Sequence, residues 1–121
     1  IRDREQHLPR LQRQLSQITE LFADYAIVIV ENDSQDRTRE ALIRWSTEDR
    51  RVHLLGCPHS NQTHCRLALA ATKREPVPSL ARIEKMVRLR NLYMDYIDRQ
   101  PIFRHYDYVI VEDYDLTTLT Y

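Results

Sequence analysis

The spacing of apolar residues changes period several times along the chain. Leu8, Leu11, Leu15, Ile18 and Phe22 recur at steps of three and four, so residues 3–22 read as a helix with one apolar stripe. Pro9 falls in its first turn, where a missing N–H does no harm. Residues 26–30 (Ala-Ile-Val-Ile-Val) are continuous, short and mostly β-branched, the pattern of a strand covered on both faces. The run stops at Glu31-Asn32-Asp33-Ser34-Gln35-Asp36, residues that make turns and cap helices. Asp36 or Ser34 is placed to cap a helix over about 37–46, with Ala41, Leu42 and Trp45 facing inward. Residues 52–55 predict a weaker strand closed by Gly56. Residues 57–79, with Pro58, Pro76 and Pro78, predict an excursion with one short helical piece around 67–72. Residues 80–97 predict a long helix with Leu80, Ile83, Val87, Met94 and Ile97 on one side. Residues 106–112 predict a third strand running straight into Asp113-Tyr114-Asp115.

Helix, strand, helix, strand, helix, strand is the order of an α/β fold with a mostly parallel sheet and helices on both faces. Ligands of open α/β sheets sit beyond the carboxyl ends of the strands. Two of the three expected strands end in acidic clusters, 31–36 and 112–115, so both clusters are expected on one rim. The 121 residues make one domain, 1–121, at most.

Composition narrows the partners. Eighteen basic and eighteen acidic side chains cancel, which removes the long-range field of a nucleic-acid binder. No apolar run approaches the ~20 residues that span a bilayer. The single glycine, Gly56, excludes every Gly-rich phosphate loop from these residues. A bound phosphate therefore needs another holder. Asp113 and Asp115, two apart at an expected strand end, can both reach one hard cation such as Mn²⁺ or Mg²⁺. Such an ion can bridge to a diphosphate and neutralise it as it leaves. The plain alternative is a solvated acidic turn.

Three motifs, in order, carry a resemblance. Val30-Glu31-Asn32-Asp33-Ser34-x-Asp36-x-Thr38 resembles the V-D-D-G-S-x-D-x-T stretch of family 2 glycosyltransferases. Arg90-Asn91 resembles their A-R-N segment, and the run from Val109 to Leu116 resembles their metal-binding strand end. The Glu-Asn-Asp-Ser form, with Arg-Asn-x-Tyr and Asp-x-Asp-Leu, looks closest to capsule-type α-1,3-mannosyltransferase relatives. The resemblance spans about 27–116, to which 57–79 contributes nothing. It implies a Rossmann-like domain of the GT-A type that binds a nucleotide-diphospho-sugar, with a glycan or a lipid- or protein-linked sugar as acceptor. Glu31 and Asn32 stand where the family contacts base and ribose. Asp33 replaces the family's glycine. Ser34, Asp36 and Thr38 are expected as turn and cap residues. Arg90 stands where it can meet phosphate or ribose, or else pair with an acid, and Asn91 can bond backbone at the sheet edge. Asp115 is the expected metal ligand, and Asp113 is expected to meet ribose or the metal and its water.

The resemblance also implies a strand ahead of the first helix, and a catalytic base and acceptor contacts beyond Asp115. The expectation is thus a partial domain, truncated at both ends and inactive alone. Two other classes compete: a sugar nucleotidyltransferase, which needs a Gly-rich loop, and a non-catalytic module that binds through an edge strand. Cys57, His59, His64 and Cys65 hold four metal-binding groups within nine residues, in no common zinc spacing. Two free thiols in a polar loop are the simplest reading, with a Cys57–Cys65 disulfide the alternative in an oxidising lumen.

Overall fold

A computed structural model of the chain describes residue 1 and residues 4–32, 34–56 and 80–112. The fold is α/β. A 3-10 turn, Glu5–His7, leads into α1, Leu8–Thr19, with Pro9 in its first turn. The strand β1, Ile27–Val30, is followed by α2, Thr38–Glu48, and by β2, Val52–Leu55. The helix α3, Leu80–Arg99, runs into a second 3-10 turn, Pro101–Phe103. The two strands are parallel and pair from Ile27 with Val52 to Val30 with Leu55.

The period-two alternation of the strands divides the packing into two layers. Ile27 and Ile29 of β1 and Val52 and Leu54 of β2 join one cluster with Leu8, Leu11 and Leu15 of α1 and Ala41, Leu42 and Trp45 of α2. Helices α1 and α2 therefore cover one face of the sheet. On the other face His53 of β2 meets α3, its Nδ1 lying 3.0 Å from the Tyr96 hydroxyl. Phe103, buried, stands edge-on to both rings, and α3 also packs along β1. Helices on both faces of a parallel pair is the arrangement the alternation of elements predicts.

Three local expectations need correction. The first helix stops at Thr19, because Leu21 and Phe22 donate to the carbonyls three residues back and tighten the last turn. Phe22 consequently leaves the stripe and is exposed.

The second concerns α3. Of the expected inner stripe, Leu80, Ile83, Val87 and Met94 are exposed and only Ile97 is half-buried; Met86, Leu89, Leu92, Tyr93 and Tyr96, outside that stripe, are half-buried as well. A tyrosine can bury its ring while its hydroxyl keeps a partner. The Tyr96–His53 bond thus orients a side of the helix that a count of aliphatic residues does not mark.

The third concerns residues 106–112, which form no strand; among the described residues the sheet has two strands. Tyr108, Val109, Ile110 and Val111 are exposed in sequence. β-branched residues favour a paired, half-covered surface, and this segment is not paired with β1 or β2. Glu112 at the end of this segment is exposed, and residues 113–115 of the acidic cluster lie outside the described residues. Among the described residues no helix is long and apolar enough to cross a membrane. The expected excursion at 57–79, with its cysteines and histidines, lies outside the described residues.

Candidate functional site

The carboxyl ends of the two parallel strands lie side by side. Glu31 extends the ladder one step past β1, its N–H donating to the Leu55 carbonyl at 3.0 Å. On the other edge of β1 the Ile1 amino group donates to the Val30 carbonyl, and the Asn32 N–H donates to the Ile1 carbonyl at 2.8 Å. Two bonds astride Glu31 are the pattern of a parallel bridge. The backbone of residues 30–32 is thus held from both sides.

Gly56 closes the rim from the β2 side. Its φ is +110°, and a Cβ built on it would lie 2.6 Å from the Glu31 carbonyl oxygen. Both the backbone conformation and the close approach require glycine here. The lone glycine of the chain shapes the rim where β2 ends.

Glu31 is buried, 2% exposed. One carboxylate oxygen, Oε1, accepts from the Ser34 N–H at 2.6 Å, and the other, Oε2, accepts from Arg39 Nε at 2.8 Å. A buried carboxylate persists only when paired and hydrogen-bonded in this way. Asn32 beside it is 7% exposed, and among the described residues its side-chain oxygen, Oδ1, has no hydrogen-bond partner. An orphaned buried acceptor calls for an explanation, and a ligand donor is one.

The start of α2 is tied to the start of the chain. Asp36 accepts from the Thr38 N–H at 2.9 Å and from its hydroxyl through Oδ1, and from the Glu5 N–H at 3.2 Å through Oδ2. Glu5 in turn accepts from the Arg37 N–H at 3.4 Å, and the buried Thr38 hydroxyl oxygen accepts from the Arg4 N–H at 2.8 Å. One carboxylate therefore serves the first N–H groups of two helical segments, as expected of Asp36 from its place before α2. Burial pushes its pKa up, but hydrogen bonds from Thr38 and from the Glu5 backbone outweigh burial and hold it below the ordinary value.

A folded-state pKa below the unfolded one adds stability that is complete above the unfolded pKa and lost as pH falls through the folded one. Asp36→Ala should therefore cost about 1 kcal/mol at neutral pH, the usual worth of a cap. That difference should shrink in acid, below the ordinary carboxylate pKa of about 4. Urea midpoints of the two proteins at neutral and acid pH check this, and a gap that stays constant across that range contradicts it.

Of the residues expected at the site, Glu31 and Asn32 stand together at the end of β1. Arg90 and Asn91 are exposed along the middle of α3, in the layer on the other face of the sheet. Asp33, Asp113 and Asp115 lie outside the described residues, and Glu112 before them is exposed. Among the described residues no three His, Cys, Asp or Glu side chains converge as a metal centre. Arg39 went unnoticed in the sequence: it stands eight positions after Glu31 across a turn, where no periodicity links the two. The role of Gly56 had a signal, a lone glycine directly after a strand.

The family model described as "Cryptococcal mannosyltransferase 1" matches residues 1–114. No curated protein and no solved structure matches the chain.

Proposed function

We infer the function from one premise: the chain belongs to the cryptococcal mannosyltransferase 1 family. At that level it is a mannosyltransferase-like glycosyltransferase, with a nucleotide-sugar donor and a glycan acceptor as the corresponding partners. The finer reading is a metal-dependent donor site of GT-A type at the carboxyl rim of β1. The observation that carries it is the orphaned Oδ1 of buried Asn32, at the end of a parallel strand where α/β sheets take their ligands. An amide oxygen there accepts from an N–H of a base or from a ribose hydroxyl.

The donor's diphosphate needs a counter-charge that no glycine loop supplies. Asp113 and Asp115 form an all-oxygen, doubly negative set, which suits Mn²⁺ or Mg²⁺. When bound, the ion supplies charge neutralisation of the departing nucleoside diphosphate. Asp33, Arg90 and Asn91 are the further residues of this reading, Arg90 toward a phosphate and Asp33 in the turn after Asn32. The acceptor is a glycan or a lipid- or protein-linked sugar, and the catalytic base is not among the residues assigned.

Two variants test the assignment against nucleoside diphosphate in the presence of Mn²⁺. Asn32→Ala should weaken binding about fivefold, the worth of one hydrogen bond of about 1 kcal/mol. Asp115→Ala should leave a residual affinity that no longer responds to Mn²⁺. Wild-type affinity and wild-type metal response in both variants contradict the assignment.

A further inference from the structure

The resemblance assigns Glu31 to the nucleotide, but its carboxylate is engaged elsewhere. Its side chain is 1% exposed, and both oxygens already accept bonds from this chain's own N–H groups, of Ser34 and Arg39. Each oxygen keeps a second lone pair, but with the side chain 1% exposed a ligand donor could reach it only by opening the loop that buries it. Arg39 lies in the first turn of α2, and Ser34 lies in the loop that joins β1 to that helix. The carboxylate thus closes the loop on itself and pins it to α2, at the helix end whose dipole favours a negative charge. Asn32, with the orphaned oxygen, is the next residue after this anchor.

We propose that Glu31 and Arg39 form a buried positioning pair that fixes the loop after β1 and holds the Asn32 amide toward the donor. Glu31 is not itself a ligand contact. The proposal rests on the donor-site reading above, and it shifts recognition from a carboxylate to the neighbouring amide. It also gives Arg39 a defined role: its charge is answered inside the protein by Glu31, and it acts as a brace for the loop.

Two readouts on the full chain separate this proposal from the donor-site reading. The first needs no ligand. In NMR spectra of the free protein the Asn32 side-chain amide and the Ser34 backbone amide should each give one sharp, exchange-protected signal. Glu31→Gln and Arg39→Lys should each broaden or average the Asn32 signal and expose Ser34 to exchange. If either substitution alone unfolds the chain, the neutral double variant Glu31→Gln/Arg39→Gln is read instead. Unchanged Asn32 and Ser34 signals in a folded variant overturn the proposal, whether or not the wild type binds a nucleotide.

The second readout is a double-mutant cycle on Mn²⁺-dependent affinity for nucleoside diphosphate. Each single variant should lose about tenfold, and the double variant should be no weaker than either, because both act through one loop. Losses that multiply in the double variant overturn the proposal, because they place Glu31 on the ligand independently of Arg39. Absence of binding in the wild type contradicts the donor site and leaves the NMR result to decide the positioning pair.

Discussion

Leu42→Ala should lower the stability of the chain by about 2–5 kcal/mol, a large part of the 5–15 kcal/mol that holds an ordinary domain together. Leu42 is fully buried. It lies in one cluster with Leu8 and Leu11 of α1, Ile29 of β1 and Val52 of β2, so its side chain joins both helices of that layer to the sheet. The other residues that α2 adds to this cluster, Ala41 and Trp45, are only partly buried. Nothing adjacent replaces Leu42. Truncation leaves a void between two short strands and two helices, and the cost depends on how far these collapse into it. Urea unfolding followed by far-ultraviolet circular dichroism reads the loss directly. A change below about 0.5 kcal/mol, the scale of a surface substitution, contradicts the core described here.

Gly56→Ala should cost about 1–3 kcal/mol through the backbone alone, since a φ of +110° is strained for any residue with a Cβ. The contact adds to this. The new methyl would meet the Glu31 carbonyl oxygen at 2.6 Å, a backbone atom that no side-chain rotation can move aside. The ends of β1 and β2 must then part, and the Glu31 N–H to Leu55 bond lies in the path of that movement. The variant should consequently lose both stability and donor affinity, unlike Leu42→Ala, whose effect is on stability. A Gly56→Ala protein with wild-type melting behaviour contradicts the close approach of the two strand ends.

These effects fall on parts of the fold that differ in how well the sequence announces them. The elements α1, β1, α2, β2 and α3 each stand where hydrophobic period and turn chemistry place them. That is because an apolar stripe or a β-branched run is a local property. The side that a helix turns inward is less local. Counting aliphatic residues selects Leu80, Ile83, Val87, Met94 and Ile97 of α3, of which only Ile97 is half-buried; the helix turns Tyr96 inward, because His53 and Phe103 give that ring a partner and a wall. The segment 106–112 shows the same limit. Val109, Ile110 and Val111 have strand composition, but strand formation also requires a neighbour along their length.

At the rim, the cap at Asp36 is legible because a carboxylate before a helix has one dominant use. The pairing of Glu31 with Arg39 is not, because an ion pair across a turn leaves no period in the sequence. The turn residues after the β-branched run place Glu31 at the end of β1, where the structure has it, while the burial of its carboxylate is visible only in three dimensions.

The central claim is that the carboxyl rim of β1 takes the nucleoside diphosphate of a sugar donor with the help of a divalent ion. Calorimetric titration of the folded chain with GDP and with UDP, each with Mn²⁺ and with chelator, tests it most directly. The account predicts one-to-one binding of at least one of the two nucleotides that is strong with Mn²⁺ and at least tenfold weaker with chelator, about 1.4 kcal/mol or more. No heat of binding from a chain with native circular dichroism, or binding indifferent to the metal, would contradict it.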